Sequence, residues 1–131
     1  MSPAPVTVRP VEDASDRRDF VDVAYALNRD DPNWVPPLKT EVHGLIDPRT
    51  NPWFEHGEAR LFLAERGGEA VGRISAQVDR LVLEHMGEGT GQWGMFEAVD
   101  AEGARKLLLR AEDWLRGRRM TRSLGPFSLS I

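Results

Sequence analysis

Residues able to do acid–base work are thinly spread in this sequence. Glu97 is the one carboxylate in the stretch GQWGMFEA at 91–98, whose β-prone character predicts a strand. Two-residue periodicity puts Glu97 on the face of Trp93 and Met95, where partial burial suits a carboxylate to general-base chemistry. A second reading makes it a rim carboxylate paired with an arginine. This reading carries more weight, because no companion acid is identifiable. His43, His56 and His85 lack the i, i+4 or short ligand spacing of a metal site, so no metal is expected. His56, flanked by Glu55 and Glu58, reads as a turn cap. The chain has no cysteine, which excludes a disulfide framework, a thiolate metal centre and a thiol nucleophile together.

Binding chemistry is suggested at three further places. The turn from 97 to 106, EAVDAEGARK, joins the strand to a helix, and a helix N-terminus offers unpaired amides to an anion. Asp100 and Glu102 stand at that helix start. A carboxylate there gains about 0.3–1 kcal/mol from the helix dipole. At ~6 Å from a phosphate charge it costs roughly 1.5–3 kcal/mol at effective dielectrics of 20 to 40, so the acidic residues favour a self-capped helix. Trp34 and the pair Trp53-Phe54 could line a ligand groove, although core packing is the stronger reading for tryptophan, and Trp114 reads as core. Arg116, Arg118, Arg119 and Arg122 could attract a phosphate, but cations after a helix C-terminus also complement its dipole, which is the preferred reading.

The elements that must position these residues follow from periodicity. Val6 to Arg9 alternates as a first strand. Ser15 is the expected N-cap of a helix running to about Asn28, with Phe20, Val23, Ala24 and Leu27 at helical spacing. The prolines of DDPNWVPP at 30–37 exclude helix, and a short helix is expected from Pro37 with Leu38, Val42 and Leu45 on one face. The segment DPRTNPWFEHG at 47–57 reads as an ordered connection packed on the core. Strands at Ala59 to Glu65 and Ala70 to Val78 flank Arg66-Gly67-Gly68-Glu69, a hairpin signal. Leu61 and Leu63 point one way, and Ile74, Ala76 and Val78 do likewise on the partner. Gly72 suggests a bulge or a close backbone approach. An exposed loop with a helical turn near Leu81 to His85 leads to a strand over Gln92 to Ala98. The next helix carries Ala104, Leu107, Leu108, Ala111, Trp114 and Leu115 on one stripe, with Gly117 as its left-handed C-cap. A last strand covers Arg122 to Leu129.

These elements predict an α+β fold in a single domain over 1–131, a mixed, largely antiparallel central sheet flanked by helices. With 17 basic and 21 acidic residues interleaved, the net charge is −4, which gives no field to capture a nucleic-acid backbone. No apolar run approaches the ~20 residues of a membrane span, and MSPAPVTVRP lacks the regions of a secretory signal; a cytoplasmic location is expected, with no membrane partner. The closing SLSI ends on a β-prone apolar stretch that would leave a strand edge bare. The expectation is a fragment of a longer protein, whose C-terminal remainder, or a homo-oligomer partner, covers the last strand.

The phrases DDPNWVPPL, EVHGLIDPRTNPWFEHGEARLFLAER, AVGRISAQVDR, GMFE and AEDWLRGRRMTRSLGPFSLS, in this order of elements, resemble the N-terminal part of longer bacterial proteins with two GNAT-like units. The resemblance implies a GNAT acyl-CoA N-acyltransferase fold, incomplete at the C-terminus, with acetyl-CoA or another acyl-CoA as donor and an amine as acceptor. By this resemblance the main chain of Met95, Phe96, Glu97 and Ala98 would meet the pantetheine arm where two strands splay. Gly103 and Ala104 would close the pyrophosphate loop. Only Gly103-Ala104 matches that loop's Gln/Arg-x-x-Gly-x-Gly/Ala pattern, so the loop of this unit departs from the family. Two functions follow: an acyltransferase unit of a longer protein with a degenerate loop here, or a non-catalytic GNAT-fold module for interdomain packing, substrate binding or regulation.

Overall fold

The computed structural model describes residues 4–129. The chain runs through β1 (Thr7–Pro10), α1 (Ala14–Leu27), α2 (Lys39–Leu45), a 3-10 turn (Pro52–Glu55), β2 (Gly57–Arg66), β3 (Glu69–Asp79), α3 (Arg80–Met86), β4 (Thr90–Ala98), α4 (Ala101–Gly117) and β5 (Arg122–Leu124). Its strands form one sheet in sequence order. Neighbours are antiparallel except β4 and β5, which run parallel because α4 carries the chain back between them. The expected mixed, largely antiparallel sheet with flanking helices is therefore present. Among the described residues no helix is long and apolar enough to cross a membrane.

The β2–β3 hairpin turns on Gly67 and Gly68, both with positive φ, and Arg66 pairs with Glu69. Two consecutive left-handed residues match the twist of the flanking strands. The register sets Phe62 opposite Ile74 and Leu63 opposite Arg73, so Leu61 and Leu63 face one side of the sheet and Ile74, Ala76 and Val78 the other, not the shared side that the sequence suggests. On the first side Leu63 packs with Phe20, Val21, Val23, Val42, Ile46 and Trp53 from α1, α2 and the 3-10 turn. On the second, Phe62, Ala64, Ile74 and Ala76 pack with Leu107, Ala111 and Leu115 of α4. Gly72 meets both expectations placed on it: the β2–β3 register shifts beside its partner Ala64, and a Cβ there would lie 2.7 Å from the Glu97 carbonyl oxygen and 2.9 Å from Leu107 Cδ1.

Beyond shifts of one or two residues at the strand ends, four features differ from the sequence expectation. Asp13, not Ser15, caps α1, accepting from the Asp16 amide at 2.8 Å; Asp16 instead takes the Glu12 amide and Arg9 Nη1. The second helix starts at Lys39, and Leu38 is 65% exposed rather than on the buried face with Val42. The left-handed residue after α4 is Arg119, with φ 66°, while Gly117 stays helical. Met120 donates to the Leu115 carbonyl at 3.0 Å and Arg119 to that of Arg116 at 2.9 Å, a Schellman ending in which docking Met120 beside Leu115 decides which residue turns left-handed. Finally, β5 spans three residues rather than eight. Past Leu124 the chain crosses β4 so closely that a Cβ on Gly94 would fall 1.6 Å from the Phe127 carbonyl oxygen, and Leu129 is buried on the α1 side.

Candidate functional site

The outer edge of β4 opens where β5 leaves it. Pairing runs from Thr90↔Arg122 to Gln92↔Leu124, and Phe127 then donates to the Trp93 carbonyl at 2.9 Å. Met95, Phe96, Glu97 and Ala98 lie beyond that pairing. The β3–β4 register passes from Ser75↔Gly94 to Arg73↔Glu97, so Met95 and Phe96 together oppose Ile74. This is a β-bulge, and Met95 carries the positive φ, 47°, that accommodates it. One inserted residue reverses the facing of everything after it. Phe96 packs edge-on against Trp93, with ring centroids 5.7 Å apart, on the α4 side. Glu97 consequently faces the α1 side opposite Arg73, and not the face of Trp93 that uninterrupted alternation predicts.

Arg73 is the group that holds this bulge. Its Nε donates to the Met95 carbonyl and its Nη1 to the Phe20 carbonyl, both at 3.0 Å, and its guanidinium lies 5.0 Å from the centre of the Phe20 ring. Burial lowers its pKa, against the opposing charge of Glu97. Among the described residues no ion pair within 4 Å joins Glu97 to an arginine. Sequence reasoning did not single out Arg73; the only signal was a charge in the middle of an apolar strand.

At the other end of the bulged strand, the start of α4 is bound by its own chain. Asp100 Oδ1 accepts from the Gly103 amide at 2.9 Å, and the Ala104 amide bonds the Asp100 carbonyl at 3.0 Å. Arg66 bridges the two carboxylates, donating at 2.7 Å to Asp100 Oδ2 and at 2.7 Å to Glu102 Oε1, with its Nε on the Ala4 carbonyl. Glu102 Oε2 takes the Val6 amide at 3.3 Å and faces Lys106 Nζ at 3.3 Å. Lys106 in turn donates to the Val6 carbonyl. The Gly103 amide, then Arg66, holds the Asp100 carboxyl below its ordinary pKa. The Val6 amide, then Arg66 and Lys106, does the same for Glu102. The i, i+4 spacing of Glu102 and Lys106 was readable in sequence, but Arg66 arrives from a hairpin 34 residues before Asp100.

The remaining candidates sit apart. His56 caps the 3-10 turn through its backbone, and its Nδ1 lies 2.8 Å from Asp79 Oδ1. Asp79 also accepts the Trp53 indole N–H at 3.2 Å and the Leu81 amide at 2.9 Å; His56 Nε2 is buried without a partner. His43 and His85 lie in the last turns of α2 and α3. Among the described residues no three His, Cys, Asp or Glu side chains converge to hold a metal. Trp53 is core, Trp34 packs edge-on against Tyr25, and Trp114 is only half-buried, with the Arg118 guanidinium 3.8 Å from its ring centre.

No family model matches the chain. It is 45% identical over 130 residues to a bacterial ceramide synthase of Caulobacter vibrioides, covering 98% of this chain and 34% of that protein. It is 37% identical over 125 residues to the protein YghO of Escherichia coli, covering 95% and 32%. The chain thus spans about a third of the length of the curated relatives it matches. Among solved structures it resembles a tandem GNAT protein from the clavulanic acid biosynthesis pathway, with a TM-score of 0.67 at 16% identity, over 88% of this chain and 34% of that one. An aminoglycoside acetyltransferase from an uncultured soil sample, in complex with sisomicin, superposes with a TM-score of 0.63 at 10% identity, over 94% and 78%. A GNAT acetyltransferase of Brucella melitensis, in complex with acetyl-CoA, gives 0.59 at 18%, over 93% and 77%. The fold is that of the GNAT acetyltransferases.

Proposed function

From a chain with the GNAT acetyltransferase fold, we propose a unit of a longer N-acyltransferase, in which an acyl group passes from acyl-CoA to an amine and the pyrophosphate is not gripped by this unit. The observation that carries this reading is the start of α4. The Gly103 amide is already taken by Asp100, and both carboxylates at the helix start are tied to Arg66. A pyrophosphate entering there would displace Asp100 from its cap and face two negative side chains, so the residues present do not fit it. The edge of β4 from Met95 to Ala98 keeps main chain beyond the β5 pairing, which supports a role in positioning a ligand arm or an acceptor. Ceramide is an amide of a long-chain amino alcohol, and the Caulobacter relative's name supports an amine acceptor. The rest of such a longer protein is the proposed partner for the outer hydrogen-bonding edge of β5, the last strand of the sheet.

Thermal-shift titrations with acetyl-CoA test this reading on the chain and on the Caulobacter relative in parallel. Ligand at ~100 times Kd stabilises a binder by about 2.7 kcal/mol. The relative is expected to shift and the chain is not. A shift of the chain overturns the reading of its loop; no shift of the relative with acetyl-CoA or a long-chain acyl-CoA overturns the acyl-transfer reading.

A further inference from the structure

Where α4 hands over to β5, at the opposite end of the helix from Asp100, a cleft of about 660 Å3 is lined by Arg116, Arg119, Thr121, Arg122, Ser123 and one carboxylate, Glu112, among others. Its three arginines are not equally committed. Arg116 is bound to Asp113 at 2.8 Å and Glu112 at 3.5 Å. Arg122 donates to the Met86 carbonyl at 3.1 Å and to Thr90 Oγ1 at 2.7 Å, neutral acceptors that leave its charge uncompensated. The Arg119 side chain has no hydrogen bond or ion pair among the described residues. Arg118 turns away, to Glu58 and the Trp114 ring.

A second observation concerns the backbone. Arg119 occupies the left-handed position of the Schellman ending, where glycine is the usual residue and a side chain is strained. A residue kept in such a conformation, with its charge unpaired, invites a functional explanation. Two of the carbonyls at the helix end are hydrogen-bonded, that of Leu115 to the Met120 amide and that of Arg116 to the Arg119 amide. We propose that this cleft binds the phosphate of a phosphate-bearing ligand, with the Arg119 and Arg122 guanidinium groups as charge partners and the Ser123 hydroxyl as a donor; the Thr121 hydroxyl already faces the Gly89 carbonyl at 3.5 Å. Planar guanidinium forks match phosphate oxygens in pairs. The 17 residues of α4 set the cleft about 25 Å from the Asp100–Gly103 turn, so it is separate from the region of the proposed acyl transfer. A soluble phosphate ester and a phospholipid headgroup present the same chemistry, and Leu124 and Phe127, both partly exposed, follow the cleft in sequence.

The test is a titration of the 131-residue chain with inorganic phosphate, followed by amide chemical shifts against chloride at matched ionic strength. Saturable changes centred on Arg116–Ser123 are expected. Arg119→Gly is expected to weaken phosphate binding about tenfold while raising Tm by about 3 °C through relief of the left-handed strain. Arg119→Lys keeps both charge and strain, and is expected to bind with intermediate affinity and without the rise in Tm. Phosphate changes scattered over the surface or reproduced by chloride, or an Arg119→Gly variant that binds like the parent, overturn the proposal. Glycerol 3-phosphate and phosphatidylcholine vesicles with or without phosphatidylglycerol then distinguish the sources. Sedimentation with the anionic vesicles that Arg119→Gly abolishes identifies a headgroup, and binding of glycerol 3-phosphate without sedimentation identifies a soluble ester.

Discussion

Asp79 carries three donors or partners at once: the Trp53 indole, the Leu81 amide and the His56 ring. It is 8% exposed, and Trp53 is 1% exposed, so truncating the carboxylate strands buried donors instead of returning them to water. Asp79→Ala is therefore expected to cost about 2–3 kcal/mol, read as a lower urea midpoint with an unchanged slope; a loss below half of that would mean that water replaces the carboxylate. Only part of this cluster was legible. The sequence marked Trp53 as too apolar for a solvated connection, and the structure buries it. The expectation that His56 caps a turn through its surroundings missed Asp79, because that residue lies 23 positions away and meets His56 only once β2 and β3 have paired.

Among the elements, the two-glycine hairpin was readable because its turn chemistry is local. The facing of Glu97 was not. Strict alternation along GQWGMFEA puts it with Trp93, and one bulged residue, held by Arg73 from the neighbouring strand, reverses the outcome. The end of α4 failed for a related reason: Gly117 suits a left-handed cap, yet packing of the partly buried Met120 beside Leu115 sets the position two residues later. Such competition between local preference and tertiary packing is not visible in a single sequence. Gly72 tests how tightly the bulged strand is held. With a Cβ 2.7 Å from the Glu97 carbonyl oxygen and 2.9 Å from Leu107, Gly72→Ala is expected to push β4 and α4 off β3 at a cost of about 1–3 kcal/mol. Denaturation measures the loss, and amide shifts at Glu97 and Ala98 report the displacement; unchanged shifts would contradict the close approach.

At the scale of the whole molecule, acid is the sensitive variable. The carboxyls of Asp16, Asp100 and Glu102 are all held below their ordinary pKa by hydrogen bonds and arginine. The unfolded chain, with ordinary carboxyl pKa values of about 4, takes up protons first as pH falls. Their contribution to stability is complete above about pH 5 and is lost progressively as pH falls through 4 and then through the lower folded-state values. Tm is expected to be level from pH 7 to 5 and to fall below pH 4, with a shallower fall in Glu102→Gln; an equal slope in that variant would show that Glu102 titrates normally.

Arg66 gives this sensitivity a direction. One side chain at the end of β2 reaches the carbonyl of Ala4 and both carboxylates at the start of α4, while Glu102 and Lys106 grip the amide and carbonyl of Val6. The first residues of the chain are thereby knotted to a helix that begins near residue 100. Fraying of the N-terminal segment takes from Glu102 and Lys106 their Val6 partners and from Arg66 its Ala4 carbonyl, so trimming the chain before β1 would be felt first at the turn after β4, nearly a hundred residues downstream.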